Sequence, residues 1–178
     1  MYDELTEVDI QKMQEEIDHR ILVLRPQYIK EVQEARAFGD LSENFEYKEA
    51  KRQKNHNDSR IRYLQRMIKT AHVVKTDHAA GKVGLFDHIT LYLPEDDEEM
   101  EIQLVTTLRV NAGGGYISRE SPLGSAIFGH SEGETVTVKV NESISYPVTI
   151  KAIRPGQDDP NLPISGYEKR HSTNRAVP

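Results

Sequence analysis

Cysteine and tryptophan are both absent from this chain of 178 residues, and it has no long apolar run. Without cysteine the protein can form no disulfide, thiolate metal site or cysteine nucleophile. The longest aliphatic run, Ile21 to Leu24, is far too short to span a membrane, so we expect no membrane partner. The start of the chain is acidic and unlike a signal peptide, and we expect a cytoplasmic protein.

Glycine and proline are scarce in the first part of the chain. Only Gly39 and Pro26 occur before residue 75, whereas both residue types become frequent after about residue 81. Because glycine and proline punctuate regular structure, this shift predicts a domain boundary near residues 76–82. The hydrophobic share of 37% is low and favours a small core beside an extended, solvated element.

The net charge of −6 argues against general coating of nucleic acid, but the charge is unevenly distributed. Residues 1–18 carry seven acids and one base, whereas residues 50–75 carry eight basic residues against the single acid Asp58. A second acidic run lies at residues 95–101. Such runs are commonly solvated faces, but the basic stretch is nearly unopposed on a predicted helix.

The first 77 residues predict an antiparallel helical hairpin. A stripe of residues that is polar toward the turn and apolar toward the base recurs at spacings of three and four in the second arm, which is the heptad spacing that holds one helix face against a partner. These residues are Tyr47, Ala50, Lys54, Asn57, Ile61, Leu64, Ile68 and Ala71. The matching stripe of the first arm is Ile10, Met13, Ile17, Ile21, Leu24, Tyr28, Val32 and Ala35. Pro26 should kink or restart that arm, because proline lacks the N–H group and its ring clashes with the preceding turn.

The hairpin turn contains two acids, Asp40 and Glu43. Gly39 can adopt the left-handed conformation that ends a helix. Asp40 is expected to cap the next helix, with Glu43 completing a capping box. Two carboxylates at the end of a rod also form half of a magnesium site, which a partner and a phosphate would complete.

The second half predicts a small antiparallel sheet, because apolar residues alternate in strand fashion at residues 88–93, 100–105, 135–140 and 146–153. Between the two predicted strand pairs, residues 121–129 have a serine cap, a proline in the first turn and a final glycine, which predicts one short helix. The fold class is therefore α+β. Residues 156–178 predict an extended or disordered tail. No phosphate-binding loop, metal-ligand spacing of histidines or nucleophile elbow is present.

Two segments of the sequence resemble the signatures of the bacterial transcript cleavage factors GreA and GreB. The first segment comprises Arg25-Pro26, Glu34-Ala35-Arg36, Gly39 to Asn44, Glu46-Tyr47 and Ala50-Lys51. The second comprises Ser121 to Gly124, Ala126, Gly129 and Glu132 to Val136. Together the resemblance covers about residues 4–154.

This resemblance implies a coiled-coil hairpin over residues 1–77 and a polymerase-docking domain of FKBP-like fold over residues 78–155. The hairpin would enter the secondary channel of bacterial RNA polymerase, and the second domain would dock on the channel rim. The protein would not be an enzyme itself. It would stimulate cleavage of the extruded RNA 3′ end by the polymerase, thereby rescuing arrested complexes. We expect a monomer.

The resemblance also implies roles for individual residues. Asp40 and Glu43 would help to hold a second Mg²⁺ ion and its water, only in complex with the polymerase and sharing the ion with its active site. Asn44 and Tyr47 would support the tip. The basic residues Lys51 and Arg52 would contact RNA or polymerase, and Ser121, Pro122 and Leu123 would lie near the docking surface.

The sequence departs from the family at several places, among them the acidic turn from Pro94 to Glu98 and the Gly113-Gly114-Gly115 run before Tyr116, and it leaves other functions open. Phe45 stands where the family commonly has a small residue, and residues 156–178 extend past the usual family end. A channel-binding inhibitor of the same fold, an FKBP-like isomerase or chaperone, and a coiled-coil adaptor remain alternatives. The presence of both Asp40 and Glu43 counts against the inhibitor, and the lack of tryptophan counts against the isomerase.

Overall fold

The computed structural model describes residues 3–39, 44–76 and 79–166. The chain divides into two compact units, Met1–Val74 and Lys75–Pro178. The acids Asp40 and Glu43 and the last twelve residues, 167–178, lie outside the described residues.

The first unit is a helical hairpin, which confirms the prediction for this part of the chain. The first arm consists of helix α1 (Glu7–His19), a π-helical turn (Arg20–Leu24) and helix α2 (Arg25–Arg36). The second arm is the single helix α3 (Phe45–Thr70). At the base, strand β1 (Glu4–Leu5) pairs in parallel with strand β2 (His72–Val73) and joins the two ends of the unit. A capping box between Thr6 and Asp9 starts α1.

The interruption predicted at Pro26 takes the form of the π-helical turn. Proline at position 26 cannot donate to the carbonyl four residues earlier. The backbone instead bonds over five residues, from the Arg25 N–H to the carbonyl of Arg20, and α2 starts with Pro26 in its first turn. Arg20, at the start of this turn, is buried, whereas the neighbouring Ile21 of the predicted stripe is only half-buried.

Apolar packing in the hairpin is concentrated near the base. The buried apolar side chains there are Leu5, Met13, Ile17, Leu24, Ile61 and Leu64. In the half nearest the turn, residues 25–36 and 45–56, the only buried residue is Ala35. The base is therefore held by hydrophobic burial, and the outer half must depend on other interactions.

The second unit contains a five-stranded sheet with the strand order β5-β4-β3-β7-β6. Its strands are β3 (His88–Leu93), β4 (Glu98–Val105), β5 (Tyr116–Ser118), β6 (Thr135–Lys139) and β7 (Ser145–Arg154). The two predicted strand pairs, β3–β4 and β6–β7, are antiparallel, and so is the β3–β7 pair that joins them. The prediction of a purely antiparallel sheet is wrong at one edge, because β5 pairs with β4 in parallel. Strand β5 has only three residues, too few for an alternation to be recognised.

One short helix, α4 (Pro122–Ile127), packs against the sheet, as the sequence predicted. Buried residues from β3, β4, β6 and β7 form the core together with Val83 and Ile127. Gly124 is required where α4 meets the end of β5, because a Cβ atom there would lie 2.0 Å from the carbonyl oxygen of Ser118.

The predicted tail is not extended or disordered at its start. Residues 156–166 have no regular secondary structure, yet they pack back on the second unit and bury Ile164. The fully buried guanidinium group of Arg109 lies 2.6 Å from Asp158 Oδ1 and donates to the carbonyl of Asp159 at 2.8 Å. The Ser165 hydroxyl donates to the carbonyl of Leu108 at 2.8 Å. We call residues 156–166 the C-terminal strap.

Candidate functional site

Asn44 links the two arms of the hairpin next to the predicted tip. Its side-chain oxygen accepts a hydrogen bond from the Tyr47 N–H at 3.0 Å, which caps α3. Its side-chain nitrogen donates to the carbonyl of Ala35 at 2.8 Å, near the end of α2. Because one side chain links the end of the first arm to the start of the second, the two residues that flank segment 36–43, Ala35 and Asn44, lie in contact.

The prediction that Asp40 caps the second arm is wrong, since Asn44 is the cap and α3 begins only at Phe45. Both asparagine and aspartate favour the cap position, and the sequence offers both within five residues. The side-chain cap of α3 is therefore provided by Asn44 and not by either of the two predicted tip acids, Asp40 and Glu43. Tyr47 lies half-buried in the first turn of α3. Together with the cap, this position agrees with a supporting role for Asn44 and Tyr47.

The basic face of α3 begins one turn after the cap. Lys48, Lys51, Arg52, Asn55, His56 and Ser59 line a shallow surface groove. Lys51 is exposed, whereas the Arg52 guanidinium forms two hydrogen bonds of 2.9 Å with the Glu49 carboxylate. The hydrogen bond and charge of Glu49 raise the pKa of Arg52. Lys48 and Lys51 are therefore better placed than Arg52 to offer positive charge to a polyanion.

Two exposed aromatic rings flank the tip, and sequence reasoning recognised only one of them as unusual. Phe38 is 76% exposed and Phe45 is 80% exposed. The Lys48 ammonium lies 5.7 Å from the centroid of the Phe45 ring, within cation–π range. Phe38 falls outside the predicted apolar stripe of the first arm, and this was the signal that could have identified it as exposed.

The predicted docking residues have mainly internal roles in the described structure. The Ser121 hydroxyl caps α4 by accepting from the Gly124 N–H at 3.1 Å, and it donates to the Ser118 carbonyl at 2.7 Å. Leu123 packs against the core of the second unit. Pro122 is exposed, so it remains the residue of this motif that is most accessible to a partner.

The described residues contain neither a cluster of metal-ligating side chains nor a helix suited to span a membrane. Within residues 3–39, 44–76 and 79–166, no three histidine or acidic side chains cluster closely enough to hold a metal ion. No helix in the same ranges combines the length and apolarity that a membrane span requires.

Comparison with known proteins matches both units of the chain to one family. The family model "Transcription elongation factor, N-terminal" matches residues 4–73, and "Transcription elongation factor, GreA/GreB, C-term" matches residues 78–155. A solved structure of Gfh1, the GreA factor homolog 1 of Thermus thermophilus, aligns with 87% of this chain and 100% of its own, at 22% identity and a TM-score of 0.39.

Several curated relatives share about a third of their residues with this chain. Transcription elongation factor GreA of Mesomycoplasma hyopneumoniae (strain 232) is 34% identical over 144 residues, which is 81% of this chain and 90% of the relative. GreA of Chloroherpeton thalassium is 36% identical over 141 residues, covering 79% of this chain and 89% of the relative. This chain belongs to the GreA/GreB family of transcription elongation factors.

Proposed function

We propose that this elongation factor inserts its hairpin into the secondary channel of bacterial RNA polymerase and stimulates cleavage of backtracked RNA by the polymerase. The observation that carries the proposal is the closure of the hairpin by Asn44. Its bond to the Ala35 carbonyl joins the ends of segment 36–43. Both acids of the family motif, Asp40 and Glu43, therefore belong to one short connection at the end of the hairpin.

The dimensions and polarity of the hairpin suit a water-filled channel. Helix α3 has 26 residues, which corresponds to about 39 Å at about 1.5 Å per residue. Ala35 is the only buried residue in the outer halves of the two arms, so this part has little apolar surface to bury.

The donor set at the tip fits magnesium. This ion is usually held by one or two carboxylates, with water and phosphate oxygens completing its shell. Asp40 and Glu43 would contribute these carboxylates, and the polymerase and RNA would supply the remaining ligands. When bound, the ion would activate water and stabilise developing negative charge. Since Asn44 provides the side-chain cap of α3, we assign neither carboxylate to the capping of that helix.

The basic groove of α3 would guide the RNA. Lys48 and Lys51 lie about one and two turns into α3 and line its surface groove. Positive charge on one helix face attracts a phosphate backbone, while the net charge of −6 opposes binding of nucleic acid elsewhere. The second unit would dock at the channel rim through the exposed Pro122.

The proposal is tested on a stalled, backtracked elongation complex with RNA labelled at its 5′ end. Addition of the protein with Mg²⁺ should shorten the RNA, and the new 3′ end should be extended when nucleotides are supplied. Asp40→Ala and Glu43→Ala should lower the cleavage rate at least tenfold, because each removes a carboxylate from the ion and its water. Both variants should still compete with the wild-type protein for the polymerase.

Glu46→Gln is the matched control. Glu46 is an exposed acid in the first turn of α3, and its neutralisation should leave cleavage unchanged. Slower RNA synthesis without shortening by the wild-type protein would identify a channel-binding inhibitor instead. Equal loss in all three variants would show that total charge at the tip matters rather than the two proposed ligands.

A further inference from the structure

A layer of buried polar side chains crosses the hairpin where the apolar packing of the base ends. The Glu16 carboxylate accepts hydrogen bonds from Arg20 at 2.7 Å and from Arg60 at 2.9 and 3.2 Å. Arg20 also donates to the side-chain oxygen of Asn57 at 2.9 Å. Glu16 and Arg20 belong to the first arm, and Asn57 and Arg60 belong to the second. We call these four residues the polar layer.

The polar layer is almost excluded from water. The residues Glu16, Arg20 and Asn57 are 6%, 8% and 2% exposed, respectively. Ion pairs this deeply buried are weak evidence for stability, because desolvation offsets much of their attraction. Their geometric demands are strict, however, because a displaced partner leaves a buried charge or amide without its hydrogen bond. Such groups are known to specify the alignment of paired helices.

The polar layer is also attached to the discontinuity of the first arm. Arg20 is the first residue of the π-helical turn, and its carbonyl accepts from the Arg25 N–H. The same carbonyl accepts a hydrogen bond of 3.3 Å from the Asn57 side-chain nitrogen. Asn57 thus contacts Arg20 through both its side-chain oxygen and its side-chain nitrogen, and it ties the interrupted arm to α3, which is uninterrupted from Phe45 to Thr70.

A second set of charges continues this attachment toward the tip. Asp58 accepts from Arg25 at 3.1 Å and from Lys54 at 3.2 Å, so the first residue of α2 is also held against α3. Burial would raise the pKa of Asp58, but hydrogen bonds from Lys54 and Arg25 and their charges hold it below its usual value. The two attachments therefore bracket the π-helical turn.

Small angular errors at this level are amplified at the tip. Asn57 lies thirteen positions after the cap Asn44, which corresponds to about 20 Å along the helix. A tilt of about 5° at the polar layer would displace the tip by about 2 Å over that length. Metal–oxygen distances near 2 Å tolerate no such displacement, and misplacement by about 1 Å can reduce a reaction rate about a hundredfold.

We propose that Glu16, Arg20, Asn57 and Arg60 are positioning residues for the tip. They clamp the π-helical turn of the first arm onto the continuous second arm and so fix the direction in which Asp40 and Glu43 are presented. This inference rests on the proposed function for its effect on cleavage. The clamp itself is a property of the protein alone and can be measured without the polymerase.

The decisive variant replaces the most buried part of the layer with apolar residues, Glu16→Leu with Arg20→Met and Asn57→Leu. Apolar replacement of a buried ionic group often leaves stability unchanged or increases it. Arg60 loses the Glu16 carboxylate in this variant, but its side chain is 14% exposed and can be hydrated. We therefore expect the triple variant to unfold near the wild-type temperature, to bind polymerase within about threefold, and to lose at least tenfold in cleavage rate at saturating protein. A purely stabilising layer would predict full cleavage in this variant.

Spin labels measure the clamp directly. Gln14 and Gln33 are exposed on the first arm on opposite sides of the π-helical turn, about 28 Å apart along the axis. The chain has no native cysteine, so single cysteines at these positions can be labelled uniquely. Double electron–electron resonance should give one narrow distance in the otherwise wild-type protein and a broadened or shifted distribution in the triple variant. The milder variant Asn57→Ser should broaden the distance distribution less, and it provides the test if the triple variant does not fold.

Gln11→Ala is the matched control, because it removes an exposed hydrogen bond to Glu15 within one helix. It should change neither the distance distribution nor cleavage. A narrow, wild-type distance in both layer variants would overturn the clamp. A broadened distance with full cleavage would overturn the positioning role. Failure of the wild-type protein to stimulate cleavage would instead refute the proposed function, while the distance measurement would still decide the clamp.

Discussion

Removal of Asp158 from the C-terminal strap should destabilise the second unit severely. Arg109 has a fully buried side chain, with its guanidinium 2.6 Å from Asp158 Oδ1. It also donates to the Asp159 carbonyl at 2.8 Å and lies 5.3 Å from the centroid of the Phe86 ring. Asp158→Ala would leave these neutral partners in place but remove the opposite charge.

The cost can be estimated from this arrangement. Removing one partner of a buried ion pair costs about 3–5 kcal/mol, and the two remaining contacts favour the lower end, about 3 kcal/mol. For a domain of this size, each kcal/mol lowers the midpoint of thermal unfolding by about 4–8 °C, which gives a decrease of about 12–24 °C. A small domain has a total stability of about 5–15 kcal/mol, so the loss is a large fraction of it.

The measurement is thermal unfolding followed by amide NMR signals of the sheet, which separates the second unit from the hairpin. Glu101→Gln is the control, because its contact with Arg154 is exposed and 3.9 Å long, and such pairs contribute less than about 1 kcal/mol. If Asp158→Ala lowers the midpoint no more than Glu101→Gln, the buried pair does not form in solution. Truncation after Pro155 should cost at least as much, since it also removes Ile164.

Three further perturbations test other parts of the structure. Gly156→Ala should destabilise the second unit by about 1–3 kcal/mol in urea unfolding, because a Cβ atom would lie 1.9 Å from the Phe86 carbonyl oxygen. Gly113→Ala is its control and should be near neutral, because a Cβ atom there would lie 3.7 Å from Asn111 Oδ1, an ordinary contact distance. Asn44→Ala should lower the stability of the hairpin by about 1–2 kcal/mol, speed hydrogen exchange of the amides in the first turn of α3, and weaken cleavage. Unchanged amide exchange would contradict the capping role of Asn44. The pKa of Asp58 in the folded protein is lowered from its ordinary value of 3.8, so its contribution to hairpin stability is complete above that value and is lost as the pH falls through the lower folded-state pKa. Asp58→Asn should reduce the acid dependence of hairpin unfolding. An acid dependence identical to that of the wild-type protein would exclude this contribution of Asp58.

The hairpin could be predicted from sequence because heptad spacing reports which face of a continuous helix is buried. The same reasoning failed at Ile21 for a physical reason. Arg20 and Ile21 follow Ile17 by three and four residues, so helical spacing allows either on the inner face, and Arg20 is buried there with its guanidinium bonded to Glu16 and Asn57. Pro26 indicated that the helix is interrupted, but the sequence did not show how the backbone would accommodate it.

The strap could not be predicted from local pattern. Arg109 and Asp158 are 49 residues apart, and each is an ordinary charged residue in its own neighbourhood. Prolines at 155, 160 and 163 prevent regular structure, which made the segment resemble a disordered tail. The burial of Ile164 and the ion pair hold it by contacts with residues that are distant in the sequence.

The sparse apolar packing of the outer hairpin explains why polar contacts hold this part of the molecule. A longer hydrophobic seam would fix the two arms, but it would place bulky apolar side chains beside the surface that we propose to contact RNA. Hydrogen bonds at Asn57 and Asn44 instead hold the arms at two levels, separated by about 20 Å, with the basic groove of α3 beginning between them. Fixing a thin rod at two levels constrains its direction more effectively than fixing it at one. The two asparagines should therefore act together, and the double variant Asn44→Ala with Asn57→Ser should lose more cleavage than the product of the two single losses, with binding to polymerase retained. Independent, multiplicative losses would show that each asparagine supports only its own part of the hairpin.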